Sequence, residues 1–365
     1  MKKRILAIIF SVTMIMSLVG CTKEASSSGG GGVSSLIDTS SEAPEVSEYA
    51  VNPLTGTQNM KKSALKLKPV AIMINNITTA WDVQASLSKA DVVYETYVEG
   101  GITRLMAVYK DIRTVGKNKI GSLRSGRYSY VDLAAGHGAQ FVHAGLDDVY
   151  CRPHISEVGI TSYDLNTTAS SGNVIGGNNC AQRINNGKSY EHTLYTTGND
   201  LYKALKSDIG LKLSKEQDNW MNFVAEGAEY TPADGTAKEI YVPFSGSYSA
   251  EFKYDESEKT YYKYRYGSKQ TDYNNSDLEI KFENILVLYS TISYFSDGKH
   301  VSTDLSSGRG YYISNGGYRE INWEKGSASS SFKLTDSNGA EIDYNPGKTY
   351  VCLTNSSNKS ATQIS

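Results

Sequence analysis

Alternating apolar and polar residues recur along the chain after residue 50, and this two-residue period predicts β-strands. The clearest example is a pair of alternating runs, residues 92–99 and 102–109, which Gly100 and Gly101 separate. Two such runs joined by two glycines predict a tight β-hairpin. Before them, the short apolar run at residues 69–75 predicts a buried strand.

The predicted hairpin sorts charged residues onto one face. With the two glycines as the whole loop, Tyr97 is expected to face Arg104 across the strands. Alternation then puts Glu95, Glu99 and Met106 on that same face. The pattern thus predicts two carboxylates beside one arginine, either in a polar site or as a weak ion pair on a solvated outer face.

A strand–helix–strand order follows the hairpin. Residues 119–123 and 140–143 have the pattern of strands, and residues 126–135 have the pattern of a helix. This order predicts a right-handed crossover and a parallel pair of strands. A further helix is expected from Asn199, a good N-cap residue, to about Ser207.

Polar side chains gather where the first strand of this unit turns into its helix. Ser122, Arg124, Ser125 and Arg127 lie there, and His143 follows at the carboxyl end of the second strand. Open sheets bind ligands at that edge, and arginines beside a helix start suit a phosphate or a carboxylate. The segment therefore predicts an anion site. The alternative is that its arginines only bridge the two hairpin glutamates in a structural network.

The second half of the chain differs from the first in composition and in its hydrophobic pattern. From about residue 238 it is rich in tyrosine and serine, in short alternating runs interrupted by Gly, Asn and Asp, which predicts mainly antiparallel β structure. We therefore expect an α+β fold with an N-terminal α/β half, containing a mixed sheet and the hairpin, and a mainly antiparallel C-terminal β half. The expected segments are a signal peptide at 1–20, a flexible Ser/Gly-rich tether at 21–50, an N-terminal domain at 51–210, a connecting segment at 211–237 and a C-terminal domain at 238–358.

The first 21 residues have the pattern of an export signal. Three basic residues at 2–4 precede an apolar stretch at 5–18, and this stretch of about 14 residues is too short to span a membrane comfortably. Residues 18–21, Leu-Val-Gly-Cys, resemble the lipobox, whose cysteine receives a lipid. Cys21 is therefore the predicted lipidation site, with the membrane as a partner at its extracytoplasmic face. The alternative is an ordinary signal peptide followed by an unrelated cysteine.

Net charge and cysteine content limit the kinds of partner and cofactor that we expect. Without residues 2–4 the chain has 34 basic and 39 acidic residues, so nucleic acid is not an expected partner. Cys151 and Cys180 could pair in an oxidising envelope, whereas Cys352 lies in an apolar run and is expected in the core. Neither the cysteines nor His143 and His192 have the spacing of metal ligands, so no metal or cofactor is predicted.

Short motifs along nearly the whole folded chain carry a family resemblance. They include NPLTG at 52–56, VAIMINN at 70–76, SKAD at 88–91, EGGITR at 99–104, IGSLRS at 120–125, VHAG at 142–145, HTLYT at 192–196 and WEK at 323–325. Together they resemble the YerB-like lipoproteins of Gram-positive bacteria, a two-part domain of unknown function. The resemblance implies an α+β fold and no established activity. The chain departs from the family pattern at Thr193, where an asparagine is usual, and lacks a histidine expected near Asp272.

His143, His192 and Ser125 are the candidates for acid–base or nucleophilic catalysis. A nucleophile elbow does not surround Ser125, and histidines are more often buried and satisfied by a backbone carbonyl. Asn75 and Asn76 follow a predicted strand and complete the polar set. The predicted ligand-binding residues are Asn75, Asn76, Glu95, Glu99, Arg104, Ser122, Arg124, Ser125, Arg127, His143 and His192.

Three functional hypotheses follow. The first is a membrane-anchored envelope lipoprotein that binds an anion, such as a cell-wall polymer phosphate or a peptide carboxylate, in a polar pocket of the N-terminal domain. The second is a cell-wall-directed hydrolase or transferase with His143 or His192 as acid or base. The third is a scaffold whose sheet edges bind another envelope protein. Whether the chain is an enzyme, its ligand and its oligomeric state stay open at this stage.

Overall fold

Strands make up most of the regular structure in the part of the chain that the structure describes. The structure is a computed structural model, and it describes residues 47–365. The predicted signal peptide, the predicted lipidation site Cys21 and most of the predicted tether lie outside the described residues. Within residues 47–365, the helices are all too short or too polar to cross a membrane.

Strands and α-helices are interspersed in the first half of the chain, whereas the second half consists almost entirely of strands. The strands before residue 213 are β1 Tyr49–Ala50, β2 Met60–Lys61, β3 Val70–Ile74, β4 Val92–Tyr97, β5 Thr103–Tyr109, β6 Lys119–Gly121, β7 Gln140–His143, β8 Ser162–Asp164, β9 Val174–Gly176, β10 Ala181–Arg183 and β11 Leu194–Thr197. The α-helices are α1 Tyr128–Gly136, α2 Cys151–Val158 and α3 Gly198–Asp208. The later strands are β12 Gly235–Thr236, β13 Glu239–Ser245, β14 Tyr248–Asp255, β15 Thr260–Arg265, β16 Ser268–Lys269, β17 Thr271–Asp272, β18 Asn275–Glu279, β19 Lys281–Phe282, β20 Asn284–Ser290, β21 Ile292–Tyr294, β22 Val301–Thr303, β23 Ser307–Ser314, β24 Gly317–Glu324, β25 Lys333–Thr335, β26 Thr349–Asn355 and β27 Gln363–Ile364.

A twelve-stranded mixed sheet forms the centre of the fold. Its order is β12-β24-β23-β20-β26-β4-β5-β3-β7-β8-β9, with β25 beside β24. Strand β26 lies between β20 and β4 and is parallel to both. The last long strand of the chain therefore joins strands from both halves in one sheet, and the predominance of sheet with few helices agrees with the α+β class.

Both faces of the central sheet are buried, because its strands carry apolar residues at odd and even positions alike. On one face, Val93 and Leu105 share a core with Phe252 and Tyr261 of a second, antiparallel sheet of order β16-β15-β14-β13-β27, in which β19 also pairs with β15. On the other face, the core includes residues of helices α1 and α2, such as Val131 and Ile155. The central sheet is therefore the middle of three layers.

The predicted hairpin is present as β4 and β5, but its predicted register is wrong by one residue. The loop has three residues, Glu99 to Gly101, and both glycines have a positive φ, 75° and 73°. Thr96 therefore faces Arg104, and Glu95 faces Leu105. A shift of one residue turns every side chain to the other face. Glu95 and Arg104 consequently lie on opposite faces of the sheet, and the predicted carboxylate–arginine cluster divides in two.

The predicted parallel pair around helix α1 is also corrected. Strand β6 pairs antiparallel with β11 in a separate three-stranded sheet, β10-β11-β6, whereas β7 is parallel to β3 and β8. The residues after β6 stay extended, since Gly126 N donates to Gly145 O at 2.9 Å. Helix α1 therefore begins at Tyr128 rather than at Gly126.

Helix α3 confirms the second predicted helix with a different cap. It spans Gly198–Asp208, and the side chain of Thr197, not that of Asn199, accepts the hydrogen bond from Asp200 N. A hydroxyl at this position satisfies one of the free N–H groups of the first turn. The helix therefore begins one residue before the predicted cap.

The cysteines of residues 47–365 are all free. The Cys151–Cys180 disulfide that the sequence allowed is therefore not formed. Cys352 lies in β26 and is fully buried, as its apolar surroundings predicted.

Candidate functional site

The residues after β6 insert between two strands of the central sheet. Strands β3 and β7 pair only as far as Ile72 and Val142. Beyond that point Arg124 N donates to Met73 O at 3.1 Å, and Ala144 N donates to Arg124 O at 3.0 Å. The insertion brings the predicted polar segment to the carboxyl ends of both strands. This is the edge where parallel strands of open sheets present ligand-binding groups.

Arg104 is the most buried charge at this edge. It reaches the edge from β5 and is only 5% exposed. Its Nη1 donates to Ser125 O at 2.7 Å, while its Nε has no hydrogen-bond partner within residues 47–365. Burial, together with the neighbouring charges of Arg127 and Arg124, lowers the pKa of Arg104 to about 9, while Glu99 opposes this shift. Arg104 therefore has one buried N–H donor without a partner among the described residues, which is unfavourable for a charged group.

Arg124 and Arg127 flank Arg104 and have carboxylate partners near the surface. Arg127 Nε donates to Glu99 Oε2 at 2.6 Å, and Arg124 Nη2 donates to Glu191 Oε2 at 2.8 Å. The Glu191 side chain is 52% exposed, so this ion pair is screened by solvent. We call Arg104, Arg124 and Arg127 the arginine cluster. With Glu99 and Glu191, three positive charges meet two negative ones.

His192 lies beside the arginine cluster on the loop before β11. Asn75 Nδ2 donates to His192 Nδ1 at 2.7 Å, and His192 Nε2 lies 3.3 Å from Thr79 Oγ1 and 3.5 Å from Glu191 Oε1. Burial lowers the pKa of His192. The amide of Asn75 thus holds a neutral ring with its hydrogen on Nε2. His192 therefore contributes a hydrogen-bond donor next to Arg124 and Glu191.

His143 lies in the protein interior behind the sheet edge and does not reach the surface. It is fully buried; its Nδ1 donates to Gly145 O at 2.9 Å, and its Nε2 accepts from Ser162 Oγ at 3.0 Å. Burial lowers the pKa of His143 to about 4, while Asp164 opposes this shift. Both ring nitrogens are satisfied, so His143 positions the Gly145 loop, and Ser125 is not among its hydrogen-bond partners.

Ser122 and Ser125 differ in their access to the edge. Ser122 is fully buried, and its Oγ has no hydrogen-bond partner among the described residues. Ser125 is partly exposed and contributes its backbone carbonyl to Arg104. The structure thus brings Arg104, Arg124, Ser125 and Arg127 together as the sequence predicted.

The remaining predicted residues, Asn76 and Glu95, lie on the opposite face of the sheet. Asn76 Nδ2 donates to Glu95 Oε1 at 2.8 Å, and Thr103 Oγ1 donates to the same oxygen at 2.7 Å. The hydroxyl of Tyr350 donates to Glu95 Oε2, and Lys263 Nζ lies 3.8 Å from that oxygen. Glu95 therefore belongs to a buried network between the two sheets and not to the arginine cluster.

Lys263, Arg265 and Tyr350 are the members of this network that sequence reasoning missed. Lys263 is 1% exposed and its Nζ has no hydrogen-bond partner within the described part of the chain; burial lowers its pKa. Arg265 Nη2 donates to Asn76 Oδ1 at 3.0 Å. Alternation in β15 puts both cations on the face of the buried Tyr261. Alternation in β15 was the only sequence feature that could have grouped these cations. It does not show which face of the strand is buried.

Comparisons with known proteins agree with this architecture. The model of "Protein of unknown function (DUF3048) N-terminal domain" matches residues 54–212, and that of the C-terminal domain of the same family matches residues 240–351. The protein named "Putative lipoprotein YerB" from Bacillus subtilis (strain 168) is 26% identical over 309 residues, which cover 84% of this chain and 87% of that protein. The crystal structure of YerB from Bacillus subtilis superposes with a TM-score of 0.69 at 23% identity, covering 87% of this chain and 99% of that one. The chain belongs to the DUF3048 family and is similar to a YerB lipoprotein, as its motifs predicted.

Proposed function

We propose that this protein is a lipid-anchored lipoprotein of the cell envelope whose arginine cluster binds an anionic envelope ligand. The observation that carries the proposal is Arg104, a guanidinium 5% exposed, with like charges on both sides and a free Nε donor among the described residues. A buried cation of this kind is unfavourable without a counter-charge. An anion at the sheet edge supplies that counter-charge.

Two carboxylates pair with the outer arginines of the cluster. Glu99 pairs with Arg127 and Glu191 pairs with Arg124. Phosphate and carboxylate groups both accept two parallel hydrogen bonds from a guanidinium. A ligand bearing such a group displaces Glu191 most readily, since the Glu191 side chain is 52% exposed and solvent-exposed ion pairs contribute only about 0–1 kcal/mol. Asn75 holds His192 beside Arg124 and Glu191. The N–H group of His192 favours a ligand that accepts hydrogen bonds.

Anchoring supports an envelope ligand over a soluble one. The similarity to a protein named as a lipoprotein, together with the lipobox-like residues 18–21, supports a lipid on Cys21. The partner is therefore a component of the extracytoplasmic surface, either a cell-wall polymer phosphate or a peptide carboxylate.

Capture of wall fragments on the immobilised chain from residue 22 onward tests the proposal. Wild type is expected to retain phosphate-bearing polymer or carboxylate-bearing peptide, and phosphatase or peptidase treatment of the fragments identifies which group is recognised. The Arg124→Ala, Arg127→Ala double variant should lose the retained material. An Arg309→Ala variant is the matched control, because Arg309 is an exposed arginine on β23. Equal retention by all three proteins contradicts the proposal.

A further inference from the structure

A cavity lies apart from the arginine cluster, between the turn Thr78–Val83 and the edge hairpin of the second sheet. Its volume is about 400 Å³, within the range of about 300–1,000 Å³ that small-molecule sites occupy. The lining residues that matter are Trp81, Arg265, Tyr266, Gln270, Asp272 and Tyr273. We propose that this aromatic cavity binds a short neutral saccharide, which goes beyond the anion site and does not depend on it.

Aromatic rings form the sides of the cavity. Tyr266 is 67% exposed and Tyr273 is 36% exposed, and the rings of Tyr266 and Trp81 lie 5.4 Å apart at 51°. The apolar faces of sugar rings pack against aromatic rings, whose other edges can stay hydrated. Large exposed rings beside a cavity are a feature of binding sites rather than of an ordinary surface.

Tyr266 keeps its exposed ring at a conformational cost. Arg265 pairs with Ser268, so Tyr266 and Gly267 are the two residues of a tight hairpin loop. Both have a positive φ, 48° for Tyr266 and 76° for Gly267. Such loops favour asparagine, aspartate or glycine at the first position, because a side chain with a Cβ is strained there. The Tyr266 ring packs on Trp81 and its hydroxyl donates to Ser247 O at 3.3 Å, yet most of the ring stays exposed. Strained residues of this kind concentrate at binding sites.

The polar floor of the cavity is rigid before any ligand binds. The Arg265 guanidinium stacks 3.9 Å from the centre of the Trp81 ring and donates to Asn76 Oδ1. The Gln270 amide oxygen, in the orientation that satisfies both groups, accepts from Arg265 at 2.8 Å and 3.2 Å. Trp81 is fixed in turn, because its Nε1 donates to Asn76 O at 2.8 Å. Fixed groups bind more tightly, since less side-chain entropy is lost on binding.

The charges around the cavity are balanced, which favours an uncharged ligand. Asp82 pairs with Lys188 at 2.8 Å and Lys269 pairs with Glu279 at 2.9 Å at the rim. In the floor, the Glu95 carboxylate offsets the positive charge of the buried Arg265, and the Asp272 carboxylate accepts a hydrogen bond from Ser88 Oγ at 2.8 Å. Planar guanidinium, amide and carboxylate groups beside aromatic rings suit a ligand with paired hydroxyls and an apolar face. Of uncharged ligands, a saccharide has both features.

Tryptophan fluorescence gives a direct test with the chain from residue 22 onward. Trp81 is partly exposed, whereas Trp220 and Trp323 are buried, so a ligand in this cavity changes the Trp81 signal. Titration with cellotetraose and with chitotetraose is expected to give saturable quenching by one or both. Tyr266→Gly relieves the positive φ but removes the packing on Trp81 and the hydrogen bond to Ser247 O. The variant should therefore melt near the wild-type temperature, while binding saccharide about tenfold or more weakly.

Two control variants test whether the quenching comes from this cavity. Tyr294→Ala removes a ring that is 54% exposed on β21 and should bind as wild type does. Arg124→Ala should also keep saccharide binding, which makes the result independent of the anion site. The inference is overturned if neither saccharide gives saturable quenching of wild type, or if Tyr266→Gly binds with wild-type affinity.

Discussion

Glu95 is the buried charge that links the two sheets. The carboxylate is 1% exposed and accepts hydrogen bonds from Asn76 and Thr103 of the N-terminal half and from Tyr350 of β26. Lys263, also 1% exposed, balances its charge from the second sheet. Stability depends on both members of such a pair, because each one alone is an uncompensated buried charge.

Glu95→Gln should therefore destabilise the protein by about 3 kcal/mol or more, since it leaves Lys263 buried without a counter-charge. Urea denaturation followed by far-UV circular dichroism measures the change. Glu191→Gln is the matched control and should cost less than about 1 kcal/mol, because Glu191 is exposed. Adding Lys263→Met to Glu95→Gln should restore part of the stability. A Glu95→Gln variant as stable as the control would contradict this role.

His143 is a second residue that affects stability, and its effect on the free energy of unfolding depends on pH. Its pKa falls from 6.5 to about 4 on burial, so the unfolded chain binds a proton more readily than the folded one. The contribution of the neutral ring is fully present above pH 6.5 and is lost as the pH falls from 6.5 towards about 4. His143→Gln should therefore flatten the dependence of unfolding free energy on pH across this window. Unchanged slopes in the two proteins would show that His143 is not the titrating group.

At the scale of elements, the cap of α3 gives a clean comparison. Thr197 Oγ1 accepts from Asp200 N at 3.1 Å, whereas Asn199, the cap that the sequence suggested, lies inside the helix. Thr197→Ala should cost about 1 kcal/mol. Asn199→Ala should change stability by a few tenths of a kcal/mol at most, because alanine is the better helix former. Thermal melts of the two variants decide it, and an equal loss in both would place the cap elsewhere.

The sequence predicted which segments form helices and strands better than it predicted how the strands pair. The β4–β5 hairpin follows from local alternation and two glycines, and the buried strand β3 follows from one apolar run. The register failed because the loop takes three residues rather than two. Apolar residues on both faces, such as Val93 on one and Tyr94 on the other, left alternation unable to detect the shift.

Long-range pairings account for what the sequence could not reveal about the site. Arg124, Ser125 and Arg127 were grouped because they are neighbours in sequence, whereas Arg104 was added from the predicted hairpin register, which is wrong by one residue. Tyr350 and Glu95 are 255 residues apart, and no local pattern relates them. The insertion of Arg124 between β3 and β7 is likewise a tertiary event. Local sequence therefore identified the segment that carries the site and misassigned one of the acidic residues around it.

At the scale of the whole molecule, the proposed lipid anchor on Cys21 would determine where the folded part works. Cys21→Ala removes the thiol that would carry the lipid. The variant is expected either in the medium or as an unprocessed precursor, and in the first case it should move from the detergent-rich to the aqueous phase in detergent phase partition. Wild-type partition and processing of the variant would show that Cys21 is not the lipidated residue.

The arginine cluster offers a matched set of variants for the central proposal. Arg124 pairs with the exposed Glu191 and not with Glu95, and Arg127 pairs with Glu99 near the surface. Replacing Arg124 by alanine should cost about 1 kcal/mol or less, because Glu191 is exposed. Replacing Arg127 leaves the less exposed Glu99 without its partner but also removes a like charge beside Arg104. Arg309→Ala changes an exposed arginine on β23. The double variant should therefore stay folded, and any change in ligand response reports on binding.

The most direct measurement is the thermal melt of the chain from residue 22 onward in phosphate and in chloride of equal ionic strength. A specific anion site should make the melting temperatures of wild type and Arg309→Ala rise with phosphate concentration and saturate. The Arg124→Ala, Arg127→Ala double variant should melt near wild type in chloride and show no rise in phosphate. A wild type that ignores phosphate, or a double variant that phosphate stabilises as strongly as wild type, would contradict the assignment of the arginine cluster as an anion site.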